Sequence, residues 1–331
     1  MKALIVQKDH SIKIEEKAKP SVSKGEVLVK IKASALNRRD QWIREGKYPN
    51  IKPSVVLGSD GAGIVEEVAR DIDKKLIGQE VIINPNINWG DNPDVQSRDY
   101  EVLGMPTNGT HAEYISIPAD RVYPKPGHLS FIEAAALPLG GLTAYRACFR
   151  HGQIEKDKKV LISGFGGGVA QFAFQFAMAV GAWVYVTSGH PNNLRKAVSM
   201  GALKGYDYSN KEWAKNCSFD TKGGFDTIID SAGGEQFDQL TRLLRPAGRL
   251  VFYGATNGLP KTLNLYHLFW RQCTLHGSTM GNDDEFVQML EFVSTHKIKP
   301  VVGSVRPFDD ILEACNEMKE GELFGKSVLT F

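Results

Sequence analysis

The chain has 331 residues, with 40 Lys or Arg against 38 Asp or Glu, so its formal net charge is only +2. Hydrophobic residues at 42% and charged residues at 24% are ordinary for globular proteins and exclude collagen, disorder and coiled coil. So even a charge balance argues against a nucleic-acid or membrane-surface protein, and the length suggests two domains at ~100–200 residues each.

The chain opens on Met1–Lys8, whose apolar run is too short for a signal peptide. The four cysteines, Cys148, Cys217, Cys273 and Cys315, are widely scattered with no CxxC pair, so neither a disulfide framework nor a cysteine-built zinc site is expected. A cytoplasmic location is the expectation. Residues 1–125 alternate short β-rich runs with turns: Ala3–Val6, Glu26–Ala33, Gly61–Val68 and Glu80–Ile83 read as strands. A short helix starts at Asn37, with Asp40 in its first turn, and stops at Gly46.

From about Ser130 the pattern changes. Phe131–Leu137 and Leu142–Phe149 read as helical, and strand Val160–Ser163, helix Val169–Val180 and strand Trp183–Thr187 follow. Asn193–Met200 is a helix, and strands Thr227–Asp230 and Arg249–Tyr253 flank the helical stretch Gln236–Leu244. Alternating strands and helices with continuously apolar strands predict a doubly wound parallel sheet. The charge-free run Val160–Leu194 is no membrane span, because Gly164, Gly166, Gly167, Gly168, Gln171 and Gln175 interrupt it. Glu285–Ser294 is a further amphipathic helix, and Lys326–Phe331 reads as a strand returning to the first domain.

The run VLISGFGGGVAQFAFQFA puts a buried strand, a four-glycine turn and a helix in succession. Backbone amides at such a helix start can hold a pyrophosphate, with Gly164, Gly166, Gly167, Gly168 and Val169 forming the cradle. The strict GxGxxG does not fit, but Gly164-x-x-Gly167-x-x-Ala170 does. A structural turn that has lost its ligand is the alternative. NAD sites usually carry an acid about 20 residues on, yet no acidic residue stands between Asp157 and Asp207. Ser188 and Arg195 could instead bind a 2′-phosphate, which favours NADPH; an ordinary solvated Arg195 is the bland alternative.

The chain resembles the medium-chain dehydrogenase/reductase superfamily, in its zinc-free, quinone-oxidoreductase-like branch. The resemblance covers essentially the whole length and rests on ALNRRDQWIREGKYP, VLGSDGAGIVEEV, HAEYISIP, EAAALPLGGLTAYRA, FDTIIDSAGG, LRPAGRLVFYGAT, HGSTMG and FGKSVL. It implies an α/β fold with a GroES-like β-rich catalytic domain and a Rossmann-type doubly wound parallel sheet. The domains would be 1–125, the nucleotide-binding 126–281, and 282–331 returning to the catalytic part. A homodimer joined through the nucleotide-binding sheets is also implied, with the site between the two domains.

The zinc-dependent relatives carry a cysteine where this chain has Asn37, and His-Glu where it has Ser59-Asp60. Their third ligand would fall near Leu139, and the cysteines of their structural-zinc lobe are absent between Asn84 and Met105. No zinc is therefore expected. Without a Lewis acid, conjugated acceptors such as quinones and α,β-unsaturated carbonyls become the expected substrates, and a small-molecule carbonyl or quinone is the expected partner. Tyr48 matches the tyrosine that resembles the proton donor of related enoyl reductases, or it is a loop aromatic beside Pro49. Asn37 either holds a nicotinamide or substrate oxygen or caps its helix. By the same resemblance Thr143, Gly254, Ala255, Thr256, Ser278 and Lys326 approach the cofactor. Two rival functions remain open: an enoyl-thioester reductase, and a non-catalytic NADPH-binding sensor.

Overall fold

Consecutive residues are buried over most of Glu26–Ala35 and the first half of Asp60–Val68, so both faces of these strands are covered there and the antiparallel pair sits at the centre of a sheet. The computed structural model describes residues 1–321 and 323–331, which divide into two units: 1–140 with 282–331, and 141–281.

In the first unit the main sheet runs Val302–Pro307, Lys326–Thr330, Glu26–Ala35, Asp60–Val68, Glu80–Ile83 and Val122–Pro124, while Tyr114–Pro118 also pairs with Glu26–Ala35. Its packed face holds Val27, Val29, Ile31, Val65, Val81 and Ile117. A second core gathers Leu4, Ile43, Leu57, Met105, Phe308 and Leu329 beneath the helix Arg38–Arg44. Register places Val328 opposite Ala35 and Ala35 opposite Asp60. Those pairings bring the starts of two strands to the end of a third, immediately before Asn37. The final strand Lys326–Thr330 thus lies beside Glu26–Ala35, far from it in sequence.

Helix Phe131–Ala136 starts on a Ser130–Glu133 capping box and packs on strands Glu26–Ala35, Asp60–Val68 and Lys326–Thr330. That packing carries the first unit to Gly140, beyond residue 125. The cysteine-free segment between Asn84 and Met105 is held by other means. Trp89 is buried edge-on against Tyr100 at 5.1 Å, Tyr100 Oη donates to Asn86 Oδ1 at 2.6 Å, and Arg121 joins the Asn86 carbonyl to Asp283.

In the second unit six parallel strands run Lys204–Asp207, Trp183–Ser188, Lys159–Ile162, Phe225–Asp230, Leu244–Phe252 and Thr274–Gly277. The first strand in the chain is third in the sheet, so the order reverses between Lys159–Ile162 and Phe225–Asp230. Open α/β sheets bind ligands at such a reversal, outside the carboxyl ends of the strands. Helix Gly168–Ala179 carries no charge because it buries Phe172, Phe174 and Phe176; among the described residues no helix is long and apolar enough to cross a membrane.

Candidate functional site

The first constellation lies wholly within the first unit. Asn37 stands at the N-cap of helix Arg38–Arg44, with Asp40 Oδ2 accepting its backbone N–H at 2.8 Å. Lys326 Nζ donates to the Leu36 carbonyl at 2.8 Å, Asn37 Oδ1 at 2.6 Å and Asp60 Oδ2 at 2.9 Å. Asn37 Nδ2 donates to the same Asp60 oxygen at 2.8 Å, and Asp60 Oδ1 accepts Leu139 N–H at 2.8 Å. Asp60 is 0% exposed, Lys326 5% and Asn37 8%. An ammonium has three N–H donors, so all of Lys326's are spent inside the protein.

This arrangement bears directly on zinc. Two of the positions that resemble the metal ligands are Asn37 and Ser59, and the carboxylate of Asp60 is already paired with an ammonium. Zinc prefers thiolate, imidazole and carboxylate donors, and this set supplies an amide, a hydroxyl and a carboxylate held by a cation. Among the described residues no three His, Cys, Asp or Glu side chains converge to hold a metal. The donors do not fit zinc.

Two residues further along, in the same first turn of the helix, Arg39 is also buried. Its Nη1 donates to Ser59 Oγ at 2.5 Å and the Leu103 carbonyl at 2.6 Å; its Nη2 donates to the Met105 carbonyl at 3.0 Å and Tyr48 Oη at 3.2 Å. The guanidinium also lies 4.8 Å from the Tyr48 ring centre. Tyr48 is half-buried and packs on the core that includes Ile43, Leu57 and Met105. Asp40, beside Arg39, lies 3.7 Å from His111 Nε2, and His111 Nδ1 sits 3.0 Å from Ser34 Oγ. Burial pushes the Asp40 carboxyl up, but His111 and the Arg39 charge outweigh it and hold the group below the usual carboxylate range. This Ser-His-Asp order is entirely buried, so no hydrolytic nucleophile is presented.

The second constellation is the carboxyl edge of the parallel sheet. Gly164 adopts φ +69°, which a side chain would strain, and a Cβ on Gly166 would lie 2.8 Å from Asn193 Nδ2. Gly167 caps helix Gly168–Ala179, and a Cβ there would meet nothing within 4 Å, so open space faces the helix start at Gly168 and Val169. Gly254 and Thr256 lie against the Ser231 carbonyl, with Ala255 between them on an exposed turn. Ser278 Oγ is buried with no hydrogen-bond partner, and Thr143 Oγ1 donates towards Met280 Sδ at 3.8 Å. An open helix start, a close backbone approach and an orphaned hydroxyl fit a dinucleotide.

Ser188 ends its strand buried, accepting His190 N–H at 3.2 Å, while Arg195 is exposed and pairs with Asn192. Register sets Asp207 of the next strand opposite Ser188. Asp230, at the end of its strand, accepts Gly233 N–H at 2.8 Å. Burial pushes its carboxyl up from the ordinary value. The structure therefore groups the glycine turn, Ser188, Gly254–Thr256 and Ser278 on one sheet edge, and Asn37 with Lys326 in the first unit. Sequence reasoning passed over Asp60 and Arg39 as functional groups. Two adjacent arginines in LNRRD were the available signal, without a cue to which turns inward.

Residues 23–127 match the alcohol dehydrogenase GroES-like domain family, and residues 168–295 the zinc-binding dehydrogenase family. The chain is 33% identical to a zinc-type alcohol dehydrogenase-like protein, YogA, of Leptosphaeria maculans, covering 94% of this chain and 92% of that protein. It is 30% identical to an NAD-dependent alcohol dehydrogenase of Sulfolobus acidocaldarius, over 99% of both. A crystal structure of an NAD-dependent alcohol dehydrogenase superposes with a TM-score of 0.95 at 34% identity, covering 100% of each chain.

Lys326→Met should leave the Asp60 carboxylate buried without its counter-charge and cost about 3–5 kcal/mol. The check is a urea titration, where the midpoint should fall at an unchanged slope. An unmoved midpoint would show that the pair contributes nothing to stability.

Proposed function

Because the chain belongs to the medium-chain dehydrogenase/reductase superfamily and is an oxidoreductase, we propose that it reduces a quinone or an α,β-unsaturated carbonyl with NADPH and without a metal. The observation that carries this reading is the Lys326 ammonium held by Asn37 and Asp60, where the relatives' ligand pattern would place a metal. With all its donors spent, that ammonium cannot polarise a substrate oxygen, so the acceptor must delocalise its own charge.

A dinucleotide whose pyrophosphate was held at the glycine turn would supply a hydride from its reduced nicotinamide. In a conjugated acceptor the arriving electron pair moves through the double bond onto oxygen, giving an enolate or hydroquinone anion. One pre-placed donor to that oxygen is worth about 3–4 kcal/mol. Tyr48 is the donor in this reading: its oxygen accepts from Arg39, and among the described residues its own hydrogen has no acceptor. Its O–H breaks, the proton passes to the substrate anion, and a solvent proton restores the phenol. Asn37 positions the helix rather than the substrate, since its side chain already joins Lys326 and Asp60. An enoyl thioester is a conjugated carbonyl of the same class, and the Tyr48 resemblance supports it as a second acceptor.

For the cofactor, the acid-free end of strand Trp183–Ser188 supports NADPH, with Ser188 and Arg195 beside the 2′-phosphate and Gly164–Val169 beside the pyrophosphate. Thr143, Gly254, Ala255, Thr256 and Ser278 would line the remainder. Asp207 opposite Ser188 supports NADH instead, as do the relatives named as NAD-dependent. We further propose a homodimer. Strand Thr274–Gly277 lies at the edge of its sheet with no strand on its outer side among the described residues, and the preceding helix Leu265–Trp270 exposes Tyr266, Phe269 and Trp270.

Tyr48→Phe should lower kcat by about 100–1,000-fold, the loss of one oxyanion donor, with the KM for NADPH unchanged. NADPH oxidation by chelator-treated protein, with quinones and enals as acceptors, reads this directly; an unchanged kcat rejects the donor role. Arg195→Ala should weaken NADPH by about 10-fold and leave NADH alone, the effect of one charge-assisted phosphate contact. Equal losses in a fluorescence titration would remove Arg195 from the phosphate. Trp270→Asp should convert the dimer to monomer in sedimentation equilibrium, whereas a monomeric unmodified chain would reject the dimer.

A further inference from the structure

Arg39 carries a buried positive charge whose hydrogen-bond partners are all neutral: Ser59 Oγ, the carbonyls of Val102, Leu103 and Met105, and Tyr48 Oη. Among the described residues no carboxylate accepts a hydrogen bond from it or forms an ion pair with it, and its Nε is buried without any partner. Lys326, another buried cation of the first unit, is by contrast matched to Asp60. The charge of Arg39 acts through space on the neighbouring Asp40 carboxylate, but no anion sits on its donors. Its carbonyl contacts fix the plane of the fork, and one donor from that fork reaches the phenol oxygen.

We propose that Arg39 is a positioning residue for proton transfer. It fixes Tyr48 Oη as an acceptor on one side, directs the phenol hydrogen outward, and becomes the partner of the phenolate left when that proton departs. This rests on Tyr48 being the donor. The bond that breaks is Tyr48 O–H, the bond that forms joins its proton to the anion made by hydride addition, and the phenolate charge stays opposite the guanidinium until solvent returns a proton. The phenolate is then the first anion on Arg39's donors. Because the cation is in place beforehand, no reorganisation is needed as charge develops.

The same geometry explains why Arg39 and not Arg38 is inside. Arg38 reaches the Met318 carbonyl from an exposed position. Arg39 also meets Ser59, whose hydroxyl in turn donates to the Leu103 carbonyl at 2.8 Å. The residue that stands where relatives carry a metal-binding histidine thus serves as a strut for the guanidinium.

The experiment is a double-mutant cycle on the full chain: the unmodified protein, Tyr48→Phe, Arg39→Gln and the double variant, each assayed for kcat, for KM of acceptor and NADPH, and for the solvent deuterium isotope effect. Arg39→Gln alone should lower kcat by about 10–100-fold, the range of one charge-assisted hydrogen bond, with the KM for NADPH unchanged and the isotope effect increased. In the Tyr48→Phe background the same change should alter kcat less than about 2-fold, within the scatter expected of uncoupled sites. An equal loss in both backgrounds, or a larger KM with the isotope effect unmoved, overturns the proposal and leaves Arg39 as a scaffold. No loss in Tyr48→Phe itself overturns the donor reading, and this inference with it. Should Arg39→Gln fail to fold, Arg39→Lys keeps a cation on the carbonyls while withdrawing it from the phenol, and the same comparison applies.

Discussion

The buried ammonium of Lys326 is the contact on which the first unit's geometry depends. Its three hydrogen bonds tie the start of the last strand to Leu36, to the N-cap Asn37 and to Asp60 at the start of a central strand. A fully satisfied buried ion pair of this kind adds little net stability over an apolar substitute, but it tolerates few other arrangements. Orientation is therefore its main product. Once Asn37 is held from both ends, the first turn of helix Arg38–Arg44 has one rotational setting, and that setting sends Arg39 and Asp40 inward.

From there the consequences follow along the helix. Arg39 spans three backbone carbonyls of the 102–105 segment and reaches Tyr48, so a loop without cysteines is clamped to the helix by a side chain. Asp40 is kept ionised by His111 and Arg39 and satisfies the Asn37 backbone. Lys326 is paired directly with Asp60, whereas Arg39 places its hydrogen bonds on neutral acceptors and has only the through-space charge of Asp40 beside it. One of those donors lies on the Tyr48 phenol oxygen, so a negative charge formed there would meet the guanidinium directly.

Much of this was legible in the sequence, because the demands were local. The glycine turn is readable since φ +69° at Gly164 and the close approach of Asn193 to Gly166 restrict residue type at single positions. The loss of zinc ligands at Asn37 and Ser59 was readable for the same reason. What replaced them was not, because Lys326 lies 266 residues from Asp60 and no spacing rule links them. Neither could periodicity separate Arg38 from Arg39, since the difference comes from how Asn37 is tethered. Strand Lys204–Asp207 lacks an apolar run and forms because helices Pro191–Ser199 and Trp213–Thr221 pack on it. Helix Phe131–Ala136 looked like the opening of the nucleotide-binding part, yet its alanine face is spent on the first unit's sheet.

The remote origin of Lys326 also sets an order of assembly on the ribosome. Residues 141–281 form a contiguous unit and can close as soon as they emerge. The first unit cannot, since Asp60 must wait for a lysine made 266 residues later. At ~5–20 residues per second that wait is roughly 10–50 s, with a carboxylate destined for the interior still bathed in water. The half of the protein that is synthesised first is the half that is finished last.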